Sequence, residues 1–184
     1  LYRDLNLYII KFCLFIYNKD MIVFLKNKHT LHIDEFSFQC SVGKNGITTK
    51  KKEGDKKTPS GFFEIEHLYY RKDRINLPKT DLKCIKIHQK MGWCDDVNNP
   101  KKYNQLINVN NKISHEKLFR KDHKYDLLIP IKFNYNKKIP GKGSCLFIHL
   151  TNNYKPTAGC VALKKKDFFI MLKLINKNTL IRII

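Results

Sequence analysis

From Met21 onward, the apolar residues of the chain come in short runs separated by polar turns. The first three runs are MIVFLK, TLHI and FSFQCSV, which span four to seven residues each. Runs of this length that alternate or stay apolar throughout are typical of β-strands. Later segments have the same character: GFFEIEHLYY, CIKIH, LLIPIKF, GKGSCLFIHL and NTLIRII. The chain is therefore expected to fold from many short strands.

One segment near the C-terminus, KKKDFFIMLKLIN, has helical periodicity instead. It places four apolar residues at helical spacing: Phe168, Met171, Leu172 and Ile175. Asp167 is the candidate N-cap of this helix. Many short strands with one clear helix predict a mainly β (β-rich α+β) fold with antiparallel sheets. The length of 184 residues favours one domain, which we assign to residues 21–184.

Residues 89–124 are polar and show no clear periodicity. A stretch of this length inside a compact domain is usually functional or an insertion. The run LLIPIKF that follows contains Pro130. Since proline cannot donate to a sheet ladder, this residue predicts an edge strand or a bulge.

The balance of charges is strongly basic, with 36 Lys and Arg against 16 Asp and Glu and a formal net charge of +20. Such a charge attracts anionic partners, and nucleic acid, an acidic membrane surface or an acidic cell-wall polymer would qualify. The alternative is a compositional bias toward Lys, Asn and Ile that spreads the charge over the solvated surface. A hydrophobic fraction of 42% is enough for a core and argues against disorder.

The six cysteines include no C-x-x-C pair, and no Cys/His cluster has the spacing of zinc ligands. Cys40, Cys84 and Cys145 lie in apolar strand-like runs, where cysteine behaves as a small hydrophobe. Cys160 alone lies in a turn.

The N-terminal segment LYRDLNLYIIKFCLFIY is apolar but is interrupted by Asp4 and Lys11. It is too short and too charged to predict a stable membrane span. No small-residue cleavage site follows it, so it is a poor signal peptide. Because the first methionine is Met21, we interpret residues 1–20 as an extension outside the natural protein.

The stretch IHLTNNYKPTAGCVAL contains the best candidates for chemistry. His149 ends an apolar strand, and Cys160 follows a polar loop. A cysteine nucleophile must lose its proton, and a histidine within hydrogen-bond reach can take it. Gly159 removes a side chain where a substrate carbonyl must come close. The alternative is a strand histidine bonded to backbone and a buried thiol, and spacing alone does not decide between the two.

This stretch resembles the active-site signature of the L,D-transpeptidase (YkuD-type) family, in which a His and a loop precede Ser/Thr-His-Gly-Cys-Ile/Val-Arg. His149 matches the first His, and four residues match the turn: Thr157, Gly159, Cys160 and Val161. Other segments also resemble the family: GKNGITTKKKEGDKKTPSGFFEI, LYYRKDR, GWCDD, SHEKLFRKDHKYD and PGKGSCLFIHL. The form YxPTAGCVAL is typical of one branch. The resemblance extends from about Ile22 to the C-terminus.

The resemblance implies a YkuD-like β sandwich or barrel with a few short helices, and an enzyme that acts on peptidoglycan stem peptides. Cys160 would attack the carbonyl at the L,D bond and form a thioester, with His149 as base. Backbone N–H groups around Gly159 and Cys160 would hold the oxyanion, and Thr157 would steady the loop or orient the histidine. An amine from another stem would then give a cross-link, whereas water would give hydrolysis.

The same resemblance implies no metal or organic cofactor and a location in the cell envelope or periplasm. We expect a monomer with no nucleic-acid partner. Tyr154 and Ala158 are predicted to contact the substrate. An alternative function of a different class is that of a catalytically inactive basic protein that binds nucleic acid or an anionic polymer.

Two positions depart from the commoner signature. Ala158 replaces the His before Gly, and Ala162 replaces the Arg that comes two positions after Cys. Both changes leave open which bond is cut and which acceptor is used. Arg71 and Arg74 are predicted to supply the missing positive group, because a guanidinium suits a carboxylate. The alternative is that both arginines lie in a solvated turn and have no part in the site.

Overall fold

The computed structural model describes residues 22–109 and 112–184, so the predictions for residues 1–20 lie outside the described range. The strands are β1 (Ile22–Leu25), β2 (Thr30–Ile33), β3 (Phe36–Ser41), β4 (Ile47–Thr48), β5 (Thr58–Pro59), β6 (Gly61–Glu64), β7 (Leu68–Tyr70), β8 (Cys84–Lys86), β9 (Met91–Cys94), β10 (Leu106–Asn108), β11 (His115–Lys117), β12 (Leu127–Pro130), β13 (Phe147–Leu150), β14 (Val161–Leu163) and β15 (Leu180–Ile183). Helix α1 spans Lys165–Leu174.

Ten of these strands form one curled sheet, a half-barrel with the order β6-β15-β1-β2-β3-β14-β13-β12-β7-β8. Most neighbours in this sheet are antiparallel, and the parallel pairs are β1–β15, β13–β14 and β7–β8. The prediction of a mainly β fold is confirmed. Where a few short helices were expected, the described residues contain one.

The main core lies between one face of the curled sheet and helix α1. Alternate strand residues such as Leu31, Ile148 and Leu163 pack there together with Phe168 and Met171. Burying such side chains is the main stabilising contribution to the fold. No helix in the described part of the chain is long and apolar enough to cross a membrane.

The start of α1 differs from the prediction. Asp167 lies inside the first helical turn, and the N-cap position is Lys164, which makes no side-chain capping hydrogen bond. A carboxylate in the first turn still interacts favourably with the helix dipole.

The described residues of the segment 89–124, which are 89–109 and 112–124, form the second layer and cover the other face of the sheet. They contain a small antiparallel sheet of order β10-β9-β11, which the lack of periodicity did not predict. Trp93 of this layer is buried edge-on against Tyr69 and Phe147. A second apolar cluster forms around it and includes Leu118, Tyr125, Leu128 and Cys160.

One strand prediction was wrong in detail, and another holds in part. The run GFFEIEHLYY is not one strand, because β6 pairs with β15 while β7 pairs with β12 and β8. Pro130 does not lie in an edge strand, but it lies at a bulge, because three residues (66–68) face two (129–130) between the pairs Tyr69–Leu128 and Ile65–Ile131. It ends β12, an interior strand, opposite Phe147, and its carbonyl accepts from the amide of Glu66. A proline at a strand end removes little from the ladder.

Candidate active site

Strand register brings the candidate base and nucleophile to the same face of the sheet. The parallel pair β13–β14 places Ile148 opposite Val161 and His149 opposite Ala162. Side chains alternate between faces along a strand, and Ile148 and Val161 lie in the main core. His149 and Cys160 therefore lie on the opposite face, beneath the second layer.

The Cys160 thiol is buried and protonated. Its Sγ donates a hydrogen bond to the carbonyl of Cys145 at 3.2 Å and accepts one from the amide of Phe147 at 3.4 Å. Burial raises the pKa of Cys160 to about 12, and the Phe147 amide opposes this shift. A thiol that is protonated in the free protein needs a base before it can act as a nucleophile.

His149 is also buried, and burial lowers its pKa to about 4. Its Nδ1 lies 2.9 Å from the carbonyl oxygen of Leu150. A carbonyl only accepts, so Nδ1 must carry the proton, and the neutral ring then has its lone pair on Nε2. The ring of Tyr125 packs edge-on against the imidazole with centroids 5.3 Å apart. The geometry thus defines a neutral base with a fixed tautomer.

Two neighbouring cavities meet at Cys160, with volumes of about 230 and 220 Å³. Cys160, Ala158, Glu116 and Tyr125 line both cavities, and His149 lines the smaller one. Among the hydrogen bonds of the described residues, none joins the thiol to the imidazole. The two groups share a cavity, and the thiol must turn from the Cys145 carbonyl to reach Nε2.

The turn before Cys160 is held by Thr157. Its hydroxyl donates to the carbonyl of Cys160 at 2.6 Å and accepts from the amide of Gly159 at 3.0 Å. Gly159 has a φ of 146°, and a Cβ there would lie 2.9 Å from the Lys57 carbonyl oxygen. Glycine is therefore required by both conformation and space.

Residues 43–61, within the segment GKNGITTKKKEGDKKTPSGFFEI, hold this turn through hydrogen bonds. Thr58 is fully buried; its hydroxyl donates to the carbonyl of Gly159 at 2.8 Å and accepts from the amide of Gly43 at 2.9 Å. In the same segment, the Glu53 carboxylate accepts from Ser144 at 2.7 Å, next to Cys145. Thr58 and Glu53, both from the segment GKNGITTKKKEGDKKTPSGFFEI, thus hold the backbone on either side of the site.

Arg71 and Arg74 line neither cavity. Arg71 is buried in a paired hydrogen bond with Asp73, and Arg74 pairs with Asp126 at 3.0 Å. Their contact with substrate remains a prediction, and the geometry gives them a supporting role instead.

Tyr154 also lies outside both cavities, with Lys164 Nζ 5.1 Å from its ring centroid. Its contact with substrate likewise remains a prediction. Ala158, by contrast, is exposed at the mouth of both cavities.

The family model of the YkuD L,D-transpeptidase catalytic domain matches residues 16–183. The chain belongs to this family. Neither the curated proteins nor the solved structures compared with the chain include a match. Family membership supports acyl-transfer chemistry of the L,D-transpeptidase type in general terms.

The L,D-transpeptidase domain also contains site residues that the sequence did not single out. Glu116, Arg120 and Lys124 line the cavity that holds His149. The available signals were their position in the long irregular segment of residues 89–124 and the resemblance of SHEKLFRKDHKYD to the family, since that segment contains all three. In the described residues, no group of three or more His, Cys, Asp or Glu side chains is placed to hold a metal ion.

Proposed function

We propose that the protein is a cysteine-dependent L,D-transpeptidase that acts on peptidoglycan stem peptides through a thioester. The observation that carries this proposal is the shared cavity of Cys160 and His149, with Nε2 of a neutral imidazole available as base. Membership of the YkuD family supports the same reaction class.

In the proposed first step, the Cys160 proton passes to His149 Nε2 while Sγ bonds to the carbonyl carbon at the L,D bond. The amide of Gly159 already donates to Thr157, so we assign the oxyanion to the amide of Cys160. Donors aimed at the developing charge lower the barrier. His149 then returns the proton to the departing nitrogen, and the C–N bond breaks to leave the thioester.

In the second step, an amine of another stem or a water molecule attacks the thioester. His149 takes the proton of this second nucleophile, and the thiolate leaves as the restored thiol. Transfer to the amine gives a cross-link and regenerates the enzyme. Attack by water gives hydrolysis, the L,D-peptidase alternative, through the same intermediate.

Mass spectrometry of muropeptides after incubation with purified protein tests this proposal. We expect a new cross-linked mass, or a trimmed stem if water is the acceptor, and loss of both products in Cys160→Ala. The matched control is Cys84→Ala, which removes a half-buried thiol away from both cavities. Products formed at the wild-type rate by Cys160→Ala would rule out this thiol as nucleophile.

The net charge of +20 is the observation behind the alternative of an anionic-polymer binder. Binding dominated by phosphate contacts should weaken steeply as salt rises, without dependence on Cys160. A place in the cell envelope follows from the proposed substrate. The monomeric state and the lack of a nucleic-acid partner stay predictions.

A further inference from the structure

The cavity of about 220 Å³ that holds His149 has a cationic wall. Arg120, Lys124 and Lys155 line it, together with the carboxylate of Glu116. Lys124 and Arg120 are close enough for their charges to act on the imidazole and lower the pKa of His149. The cavity is thus suited to an anionic group beside the base.

Arg120 and Ala162 line the same cavity. Ala162 lies opposite His149 in the β13–β14 register and lines the same cavity. Its small side chain leaves room there, and Arg120 enters the cavity from the second layer instead. A guanidinium distant in sequence, paired with Glu116 and Asp122, thus lines the cavity in which position 162 has no charge.

The guanidinium of Arg120 is held in place but retains free donors. Its Nε and Nη2 donate to Asp122 at 2.9 and 2.8 Å, and Nη1 donates to Glu116 at 2.8 Å. A guanidinium has more N–H groups than these three contacts use. The rest can meet a ligand carboxylate, and the fixed planar group loses little entropy in doing so.

Arg71 and Arg74 hold the backbone that carries Arg120. Arg71 Nη1 donates to the carbonyl of Arg120 at 2.6 Å, and its guanidinium stacks 3.5 Å from the ring centroid of Phe119. Arg74 donates to the carbonyls of Lys121 and Asp122 at 3.0 and 2.9 Å. These contacts define Arg71 and Arg74 as positioning residues.

We propose that Arg120, with Lys124 and Lys155, binds the carboxylate of the departing D-amino acid. This inference rests on the proposed function. The departing nitrogen must lie at His149 Nε2 to be protonated, and its carboxylate is attached to the neighbouring carbon. That carboxylate therefore falls in the same cavity as His149.

The test measures binding in the Cys160→Ala background, where the peptide is not consumed. The probes are a stem peptide that ends in the D-amino acid and the same peptide with a C-terminal amide. We expect tighter binding of the acid. Arg120→Gln should weaken the acid about 10- to 100-fold and the amide little, because a charge-assisted hydrogen bond to carboxylate is lost.

The matched control is Lys121→Gln, which removes one positive charge from a neighbouring exposed residue outside the cavity and should change neither affinity. Retained binding of the amide shows that Arg120→Gln is folded. If this variant does not fold, Arg120→Lys replaces it and should keep part of the preference for the acid. Equal weakening of acid and amide, or no change in either, would refute the assignment of Arg120.

The positioning role has its own readout. Arg74→Gln should reduce the preference for the acid over the amide, since the carbonyls at residues 121 and 122 lose their donors. An unchanged acid-to-amide ratio would show that this arginine does not position Arg120. All these binding results are independent of whether Cys160→Ala abolishes turnover, so failure of the carboxylate site and failure of the proposed function are distinguishable.

Discussion

Burial of His149 makes the stability of the domain sensitive to mild acid. The ordinary pKa of 6.5 applies in the unfolded chain, and burial lowers the pKa to about 4 in the folded protein. Between these two values the unfolded chain binds a proton that the folded protein does not. Lowering the pH therefore favours unfolding. The stabilisation is complete above pH 6.5, and about 3 kcal/mol is lost by pH 4.

Urea unfolding at a series of pH values measures this loss. The chain has one tryptophan, Trp93, and it is buried against Phe147, so its fluorescence reports on the second layer directly. Substitution His149→Asn keeps an N–H donor for the Leu150 carbonyl but removes the titrating ring. We expect a lower baseline stability in this variant and a flat profile from pH 6.5 to 4.

Other titrating groups act in a separate pH window. The guanidinium of Arg71 lowers the pKa of Asp73 to about 2, and that of Arg120 does the same for Asp122. Their contributions are lost only as the pH falls below 3.8. The control His123→Asn removes an exposed imidazole of the same layer and should keep the wild-type slope. A wild-type slope from pH 6.5 to 4 in His149→Asn would refute a buried neutral histidine.

Three further predictions concern the turn and the thiol. Thr58→Val should lower the free energy of unfolding in urea by about 2–4 kcal/mol, because the amide of Gly43 and the carbonyl of Gly159 both lose a hydrogen-bond partner. The control Ser60→Ala, at a half-buried position nearby, should lower it much less. Equal losses of stability in the two variants would contradict the supporting role of Thr58. Gly159→Ala should destabilise the fold by about 2–4 kcal/mol, because the position has a positive φ and the new Cβ would contact the Lys57 carbonyl. Gly141 also has a positive φ but open space around it, so Gly141→Ala should cost about 1 kcal/mol. Similar losses of stability in the two variants would show that space at Gly159 is not limiting. The rate of alkylation of Cys160 by iodoacetamide should rise steadily with pH from 6 to 9. The raised pKa of the thiol means that the thiolate fraction does not level off in this range. A pH-independent rate would instead indicate an ion pair between Cys160 and His149.

Much of the fold could be predicted because strand length and alternation are local properties. The run TLHI is β2 residue for residue, and the spacing of Phe168, Met171 and Leu172 predicts the buried face of α1. Alternation does not reveal which strands become neighbours. GFFEIEHLYY has the character of one strand, yet its two halves pair with β15 and with β12 in distant parts of the sheet.

The candidate site also contains some residues that the sequence predicts and others that it does not. The motif predicts that His149 and Cys160 are neighbours, and the structure places His149 on β13 and Cys160 directly before the adjoining strand β14. It does not predict Arg120, whose place depends on side chain to backbone contacts within an irregular segment. Arg71 and Arg74 were chosen because a guanidinium suits a carboxylate. The same property lets them bind Asp73, Asp126 and backbone carbonyls, and sequence spacing does not distinguish these partners.

The origin of the positive charge affects how the site can change. An arginine at position 162 would extend from β14, which is hydrogen-bonded to β13 on one side and β3 on the other. Arg120 instead extends from the second layer, where Arg71 and Arg74 set its backbone. The two layers are joined beside the site, because the amide of Leu150 donates to the carbonyl of Lys124 at 2.9 Å and Tyr125 packs against His149. Under the proposed assignment of Arg120, substitutions that move its backbone should therefore change substrate preference, and a movement that reaches Lys124 and Tyr125 should change the surroundings of His149 as well.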